Sequence, residues 1–439
     1  MTEDFRHTAG YNMKALIKRA GNKPISDSEL SKYLDETLSR FTAGKKVQKI
    51  LIVPPDFTRF YSMSGKITSM LYAKLKDSCT VNILPALGTH MPMTEKELND
   101  MFEGIPHDRF FVHDWKNDVV KIGEVPKEFV NEVSEGLVNE KMDVEVNKMF
   151  LDKTYDLIIS VGQVVPHEVV GMANYTKNIV VGIGGNNMIN KSHMLGAFYG
   201  MERMMGRDHS PVRKVFDYAQ EKYLSSFPLF YILTVTTQNG PSADIHALYA
   251  GNGRDAFEAG VKDSLEKNFT FLDEEPEKMV VYLDEREFKT TWVGNKAIYR
   301  TRMAIAEGGE LIILAPEVKR FGEDDENDRL IRKYGYIGRE NILKKVDEND
   351  DLKNNLSVAA HIIHGSSDGK FNISYAVRHM TKEEIEKANF KYLDYDETVK
   401  KYDPKKLKDG FNYVNGEKIF YISNPALGLW SSRKKFKEQ

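Results

Sequence analysis

Cysteine is nearly absent from this sequence: Cys79 is the single one among 439 residues. One cysteine cannot form a disulfide within the chain, and such sparse use is typical of a reducing compartment. No apolar run approaches the ~20 residues that a membrane helix needs. The N-terminus, "MTEDFRHTAGYNMKAL", contains acidic residues and lacks the apolar segment of a signal peptide. These absences predict a cytoplasmic protein that is not embedded in a membrane.

Neither positive nor negative side chains are in large excess. The chain has 62 Lys and Arg residues against 65 Asp and Glu residues, which gives a net charge of −3. Nucleic-acid binding needs a concentrated basic face, and the lysine-rich end "SSRKKFKEQ" is short and typical of a solvated terminus. We therefore predict no nucleic-acid partner.

Apolar runs alternate with segments of helical spacing over the first half of the chain. Continuous apolar composition favours strands that are buried on both faces of a parallel sheet. "SGKITSMLYAKLK" and "HMLGAFYGMERMM" predict helices, and Thr94 with Glu97 predicts a capping box. This alternation predicts an α/β fold. The predicted strands lie in "QKILIVPPD" (48–56), "TVNILPALGTH" (80–90), "YDLIISVGQVV" (155–165) and "NIVVGIGG" (178–185).

The length of the chain exceeds one ordinary core, so we expect two domains with mainly parallel sheets. The charged stretch "LDEEPEKM" near residues 273–280 contains a proline and indicates the boundary. Beyond it, "MVVYL" and "ELIILAP" predict strands, "NKAIYRTRMAIAE" (295–307) predicts a helix, and Asn415-Gly416 predicts a hairpin turn.

We assign residues 1–275 to an N-terminal cofactor-binding domain that the C-terminal tail 415–439 joins, and residues 276–414 to a C-terminal domain. In two-domain α/β proteins a ligand usually binds in the cleft, at the carboxyl ends of strands. We therefore expect the active site in an interdomain cleft.

Clusters of polar residues and glycines follow the four predicted strands of the first domain. If these strands are parallel, the clusters share one edge of the sheet. Lys177 lies between the last two clusters. The site would then combine two proton carriers, an amine, a metal ligand and a positively charged side chain that can bind an anion. The clusters are Asp56, Thr58 and Arg59; Gly88, Thr89 and His90; Pro166, His167 and Gly171; and Gly184, Gly185, Asn186, Asn187 and His193.

Each of these residues has a simpler interpretation when taken singly. A histidine after a strand is usually a satisfied loop residue, Lys177 alone would be a surface lysine, and Arg59 could form a local ion pair. "GIGG" lacks the spacing of a phosphate-binding loop. Three histidines could also hold zinc with one position open for water. In "AHIIHGSS" we interpret His361 and His364 as structural.

The order and spacing of the clusters resemble the lactate racemase superfamily, the nickel-pincer-nucleotide 2-hydroxyacid racemases and epimerases. "PDFTR" resembles the family's Asp-x-x-Arg motif, "GTHMPMTEKEL" its Gly-Thr-His motif, and "PHEVVG" its Pro-His-x-x-x-Gly motif. Lys177 and His193 follow at the positions of the family's cofactor-attaching lysine and nickel-ligating histidine. "GGELIILAPE" resembles a motif of the second domain, so the resemblance covers roughly residues 45–320.

The resemblance implies an isomerase that inverts C2 of a 2-hydroxy acid by reversible hydride transfer. The acceptor would be a nickel-pincer nucleotide, pyridinium-3,5-bisthiocarboxylic acid mononucleotide with nickel, which separate biosynthetic enzymes must supply. His90 and His167 would be the acid/bases, and His193 would bind the metal. Arg59 would grip the substrate carboxylate.

The same resemblance assigns residues to the cofactor. Lys177 would hold it, with Asp56 and Thr58 beside it, and Gly184 and Gly185 would let the backbone approach its phosphate.

The motif before the lysine departs from the family. The lactate enzymes have Gly-Gly-Arg there, whereas Tyr175-Thr176 precedes Lys177. We therefore expect a different loop backbone, and the cofactor would be attached covalently at Lys177 or held without a covalent bond.

The second domain departs as well. Our register places Lys296 and Tyr299 where the lactate enzymes use a glutamine and a lysine, and Lys296 joins the catalytic candidates. Hydroxyls of a longer sugar acid, such as an aldonate, would find partners in Trp292, Asn295, Lys296 and Tyr299. The alternative for Trp292 is an aromatic that packs the domain.

Two other functions use the same residues: a three-histidine metal-dependent hydrolase, and a carrier or sensor that binds the cofactor or a sugar acid without turnover. The sequence leaves open the substrate, its epimer and the oligomeric state, a homo-oligomer included.

Overall fold

The apolar runs of the sequence form the central strands of two six-stranded sheets. A computed structural model describes residues 14–21, 23–42 and 45–437. The strands, in chain order, are β1 (Leu16–Arg19), β2 (Lys49–Val53), β3 (Thr80–Ile83), β4 (Val119–Val125), β5 (Met142–Asn147), β6 (Leu157–Gln163), β7 (Pro166–His167), β8 (Gly171–Met172), β9 (Leu229–Asn239), β10 (Ser242–Gly251), β11 (Phe269–Leu272), β12 (Lys278–Tyr282), β13 (Glu310–Ala315), β14 (Asn372–Val377), β15 (Lys391–Asp394), β16 (Gly410–Val414), β17 (Glu417–Ile422) and β18 (Leu429–Ser432).

Helices separate most of these strands. They are α1 (Asp27–Thr42), α2 (Ser64–Leu75), α3 (Glu95–Met101), α4 (Lys127–Val133), α5 (Thr176–Val180), α6 (Asn186–Tyr199), α7 (Met201–Met204), α8 (Pro211–Ala219), α9 (Arg254–Asn268), α10 (Thr291–Gly294), α11 (Lys296–Thr301), α12 (Asp325–Tyr334), α13 (Arg339–Glu348), α14 (Asp350–Lys353), α15 (Leu356–His364), α16 (Lys382–Lys387), α17 (Tyr395–Lys401) and α18 (Arg433–Lys437). Short 3₁₀ turns cover Phe57–Ser62, His107–Arg109 and Lys148–Leu151, and a π-helical turn covers Gln220–Leu224.

The chain divides into two compact units, each built from separate stretches of sequence. The first unit comprises the described residues up to Val165, Ala173–Ile189 and Arg213–Lys267. The second unit comprises Pro166–Met172, Asn190–Val212 and the described residues from Asn268 onward.

The first unit is built on the sheet β1-β10-β9-β6-β2-β3. Strands β3, β2, β6 and β9 run parallel, and β10 and β1 continue the sheet in antiparallel pairing. Every residue of β6 is buried, as its continuous apolar sequence requires. The capping box predicted at Thr94 and Glu97 is confirmed at the start of α3.

The second unit is built on the sheet β15-β14-β13-β12-β17-β16, in which only the β16–β17 pair is antiparallel within the described strands. The hairpin predicted at Asn415-Gly416 is confirmed, and both residues have the positive φ that a tight two-residue turn needs. The α/β class with mostly parallel sheets is therefore confirmed.

The described residues of the C-terminal tail lie in the second unit. Strand β17 falls within residues 415–439, which we expected to join the N-terminal domain, yet it pairs in parallel with β12. Its apolar side chains are buried there, because they complete the sheet of the second unit.

Two secondary-structure predictions are wrong. Residues 178–185 were expected to form a strand, but α5 ends at Val180 and a turn follows. A short apolar run does not distinguish a buried strand from a buried helical turn. The helix expected over residues 295–307 ends at Thr301.

Candidate functional site

The loop after β2 carries a buried carboxylate. Asp56 is 4% exposed and begins the turn Phe57–Ser62. Its Oδ1 atom accepts hydrogen bonds from the Thr58 backbone N–H at 3.1 Å and from the Thr58 hydroxyl at 2.6 Å. These two bonds fix the carboxylate and leave its second oxygen for another donor.

That donor is His90, from the loop after β3. The Nδ1 atom of His90 lies 2.5 Å from Asp56 Oδ2. Burial by itself raises the pKa of Asp56, but the charge and hydrogen bond of His90, the Thr58 hydroxyl and the charge of Arg59 hold that pKa below its ordinary value. Because the carboxylate accepts, Nδ1 of His90 carries a proton, and when the ring is neutral Nε2 is its basic atom.

Lys177 lies in α5, which is bonded to the carboxyl end of β2 and to the middle of β6. The amide of Asn178 donates to the Val53 carbonyl at 3.0 Å and to the Ser160 hydroxyl at 2.9 Å. After α5, the Gly182 N–H donates to the Lys177 carbonyl, and the Gly182 carbonyl accepts from the Gly88 N–H at 2.9 Å. The loop of His90 and the helix of Lys177 are therefore joined through their backbones.

The loop before Lys177 keeps a conformation that glycine permits. Asn174 and Tyr175 have φ values of 64° and 56°, although neither is glycine. Our expectation of a different loop backbone rested on the loss of the two glycines. The positive φ values at these two positions are ones that glycines would also adopt, and the difference in loop backbone stays a prediction.

Gly184 and Gly185 are required by packing inside the first unit. A Cβ on Gly184 would lie 1.9 Å from the Val180 carbonyl oxygen, and one on Gly185 would lie 2.3 Å from Glu145 Oε2. The Gly184 N–H already donates to Val181, and His113 Nε2 donates to the Gly184 carbonyl. These contacts account for both glycines, and their role at a phosphate stays a prediction.

His167 belongs to the small hairpin of β7 and β8 in the second unit and is 3% exposed. Its Nδ1 atom accepts a hydrogen bond from the Val169 backbone N–H at 3.1 Å. The neutral ring therefore carries its proton on Nε2. Oε2 of Glu168 lies 3.6 Å from the same Nδ1 atom.

His193 lies on α6 of the second unit and is partly exposed. It is close enough to His364 for its charge to lower the pKa of that residue, and Glu168 acts on the same ring in the opposite direction. His364 therefore lies close to His193 and to Glu168, the residue that follows His167 in the sequence.

His361 and His364 on α15 are a buried pair that the sequence analysis interpreted as structural. Burial is the main cause that lowers the pKa of His361 to about 3 and that of His364 to about 4, so both rings are neutral. The Nε2 atom of His364 has no hydrogen-bond partner among the described residues. Their separation by three positions in the sequence predicts that both rings lie on the same face of a helix.

Trp292 and Asn295 pack against His361 within the second unit. The rings of Trp292 and His361 are stacked with centroids 4.2 Å apart. The Tyr375 hydroxyl donates to Asn295 Oδ1 at 2.7 Å, and the Tyr336 hydroxyl lies 2.9 Å from His361 Nε2. Of the predicted substrate residues, Asn295 therefore belongs to a buried polar network, and the half-buried Trp292 stacks against it.

Lys296 and Tyr299 are buried on the neighbouring helix. The Nζ atom of Lys296 lies 2.7 Å from Glu287 Oε1, and both side chains are less than 10% exposed. Oε2 of Glu287 has no partner among the described residues. Tyr299 is 4% exposed. The sequence analysis missed Glu287, whose charge balances the amine that we assigned to catalysis.

The structure thus groups the predicted residues within each unit. Asp56, Thr58 and His90 are in contact in the first unit, and the backbone links Lys177 to them. His193, His361, His364 and Glu168 are neighbours in the second unit. The meeting of His90 with His167 and His193 around one ligand stays a prediction.

Neither a membrane helix nor a ready-made metal cluster occurs among residues 14–21, 23–42 and 45–437. Their helices are too short or too polar to cross a membrane. No group of three or more His, Cys, Asp or Glu side chains is arranged to hold a metal ion.

Comparisons with known proteins define the family. The lactate racemase N-terminal domain model matches residues 7–206. The lactate racemase of Thermoanaerobacterium thermosaccharolyticum is 26% identical over 227 residues, which cover 50% of this chain and 47% of that protein. The chain thus aligns with about half the length of this curated relative.

Two solved structures share the fold. A crystal structure of a Thermotoga maritima protein matches with a TM-score of 0.80 at 23% identity, over 94% of this chain and 100% of that chain. The lactate racemase apoprotein from Thermoanaerobacterium thermosaccharolyticum matches with a TM-score of 0.67 at 18% identity, over 93% of each chain. Residues 7–206 of the chain thus match the lactate racemase N-terminal domain family, and the two solved structures share the overall fold of the chain.

Proposed function

We propose that this protein is a racemase or epimerase that inverts C2 of a 2-hydroxy acid. The observation that carries the proposal is the opposite proton arrangement of two imidazoles. His90 donates from Nδ1 to Asp56 and keeps a basic Nε2, whereas His167 accepts at Nδ1 and keeps a proton on Nε2. Inversion needs one group to remove the hydroxyl proton and another to serve the opposite orientation of the substrate.

The residues fit the nickel-pincer nucleotide. Lys177 provides an amine on a partly exposed residue whose backbone is joined to the loop of His90 through Gly182 and Gly88. His193 provides a partly exposed imidazole, a nitrogen donor suited to Ni(II). When bound, the cofactor would accept hydride from C2 and return it, which no side chain can do.

The remaining steps belong to the chain. Arg59, whose charge also acts on Asp56, would bind the substrate carboxylate with its planar fork. His90 takes the hydroxyl proton at Nε2 as C2 becomes planar. The proton returns from a histidine when hydrogen comes back to the opposite face. Asp56 stabilises the imidazolium that His90 becomes, because it is held ionised.

We further propose a substrate larger than lactate, such as an aldonate. The second unit contains a cavity of about 550 Å³, and its lining includes His364, Arg302, Ser367 and Asn389. The unpartnered Nε2 of His364 offers a hydrogen bond to a hydroxyl group. Because Lys296 is paired with Glu287, and Asn295 is held in the buried network with Tyr375, the support for this substrate class comes from the His364 cavity.

The test uses protein co-expressed with the cofactor-making enzymes and a panel of 2-hydroxy acids, from lactate to aldonates. We expect epimer formation, and deuterium placed at C2 should stay at C2, because hydride is carried and returned. Binding without epimer formation would identify a carrier. Washout of C2 deuterium into water would contradict hydride transfer.

The covalent link has a separate measurement. Intact mass under denaturing conditions should show a cofactor adduct that Lys177→Ala removes. Absence of an adduct, with nickel retained under native conditions, would show non-covalent binding.

A further inference from the structure

The two residues before Lys177 adopt backbone conformations that are costly for their side chains. Tyr175 has φ 56° and ψ −130°, a region that glycine populates and a bulky residue avoids. Asn174 has φ 64°. Such a backbone persists only where its surroundings hold it in place, and it is commonly found where a functional group must be positioned.

A buried arginine supplies that hold. Arg213 on α8 is 0% exposed. One guanidinium nitrogen donates to the Thr176 hydroxyl at 2.5 Å, and another donates to the Asn174 carbonyl at 3.1 Å. The Thr176 hydroxyl in turn donates to Asp217 Oδ1 at 3.1 Å, and Asp217 is also paired with Arg254. The three residues before Lys177 are therefore tied to α8 by a charged fork.

Packing supports the same conformation. The ring of Tyr175 stacks on the ring of Phe257 with centroids 5.2 Å apart. The guanidinium of Arg213 also lies over the Phe257 ring, 4.4 Å from its centroid. The amide of Asn174 occupies the space beside Gly162, where an added Cβ would lie 1.5 Å from Asn174 Nδ2. Gly162 is therefore required for Asn174 to keep its place.

We propose that Arg213, through Thr176, is a positioning residue that holds the Asn174–Tyr175 turn and so presents the Lys177 amine. The arrangement takes the place of the glycine pair that the resemblance leads one to expect before the lysine. This inference rests on the proposed function, because it treats Lys177 as the residue that holds the cofactor. Arg213 itself touches neither substrate nor cofactor.

The central experiment compares Thr176→Val with Thr176→Ser. Valine has nearly the shape of threonine but loses both hydroxyl hydrogen bonds, whereas serine keeps them. The first measurement uses protein without cofactor: the rate at which an amine-reactive reagent labels Lys177, determined by peptide mass spectrometry relative to the exposed Lys148. We expect at least a threefold change in Thr176→Val and the wild-type rate in Thr176→Ser.

A second pair removes the arginine. Arg213→Gln should change Lys177 labelling at least as much as Thr176→Val, and Lys214→Gln, the exposed neighbour on α8, should leave it unchanged. Melting temperatures of all variants identify general loss of folding, which would alter the labelling of every lysine. Selective change at Lys177 alone supports positioning. Wild-type labelling of Lys177 in folded Thr176→Val and Arg213→Gln would overturn the proposal.

The same variants, co-expressed with the cofactor-making enzymes, separate this proposal from the proposed function. We expect about tenfold lower cofactor occupancy in Thr176→Val and rescue in Thr176→Ser. If the wild type acquires no cofactor, the proposed function fails, while the labelling of Lys177 still decides the role of Arg213. If occupancy is equal in wild type and Thr176→Val, the positioning role is refuted.

Discussion

The imidazole of His90 and the carboxylate of Asp56 form a close pair, with 2.5 Å between Nδ1 and Oδ2, at the ends of neighbouring parallel strands. Because Asp56 is also held by Thr58, the carboxylate sets the orientation and proton position of the ring. The pair is the best-defined part of the proposed catalytic site in the first unit.

Replacement of Asp56 by asparagine should leave a folded protein with impaired turnover. An amide cannot stabilise an imidazolium and can hold the ring in the wrong tautomer, so kcat should fall by about 10²- to 10⁴-fold. Epimerisation rates of cofactor-loaded protein provide the measurement. Asp100→Asn, which removes an exposed carboxylate paired with Lys96, is the control and should keep its rate. Full activity of Asp56→Asn would remove this pair from the mechanism.

His193→Ala should abolish nickel retention without unfolding the chain. The partly exposed imidazole is the nitrogen donor that we assign to the metal. Nickel per chain, measured by elemental analysis after co-expression, should drop to background, whereas His209→Ala, which removes a ring that is 71% exposed, should retain nickel. Full nickel and activity in His193→Ala would show that the ligand is another residue.

Removing one partner of the Lys296–Glu287 pair should destabilise the protein more than removing both. Lys296→Met leaves a buried carboxylate unpaired and should cost about 3–5 kcal/mol of unfolding free energy, whereas the double variant Lys296→Met/Glu287→Met should recover most of it. Denaturant unfolding measures both. If the recovered double variant also turns over substrate, Lys296 has no catalytic role; if it is folded and inactive, the catalytic assignment gains support.

The second unit should lose stability in mild acid because of His361. Burial, and then the charge of His364, lower the pKa of His361 to about 3 from an ordinary 6.5. Below about pH 6.5 His361 becomes protonated in the unfolded chain but stays neutral in the folded chain. The free energy of unfolding therefore falls progressively as the pH drops from 6.5 towards the folded-state pKa. At pH 5 the loss should be about 2 kcal/mol.

His361→Gln tests this account through the slope of unfolding free energy against pH. Between pH 7 and 5 the variant should show a shallower fall than the wild type, by up to one proton, whatever its stability at pH 7. His209→Gln should keep the wild-type slope. An unchanged slope in His361→Gln would assign the acid sensitivity to other groups.

Local signals in the sequence predicted much of the fold. The continuous apolar runs became β2, β3 and β6, and the capping box at Thr94 and the turn at Asn415-Gly416 formed as expected, because each depends on residues within a few positions. Residues 178–185 were harder to assign, because α5 is fixed by bonds from Asn178 to distant strands.

Long-range partners were the part of the site that the sequence could not supply. His90 and Asp56 were both proposed, since each follows a strand. The partner of Lys296 is Glu287, and the residue that holds Thr176 is Arg213; nothing local to those positions marks either contact. Buried charges find partners wherever the fold brings them, so such pairs are visible only in three dimensions.

The composition of the second unit has a consequence for synthesis of the chain. Its stretches Pro166–Met172 and Asn190–Val212, which carry His167 and His193, leave the ribosome well before β12 to β18 exist. A fragment ending at Lys267 would contain the whole first unit and two separated stretches of the second, whereas a fragment starting at Asn268 would lack those two stretches. A gene split at that point should therefore leave the second unit incomplete in both pieces, and that unit should form only when the two pieces are made together.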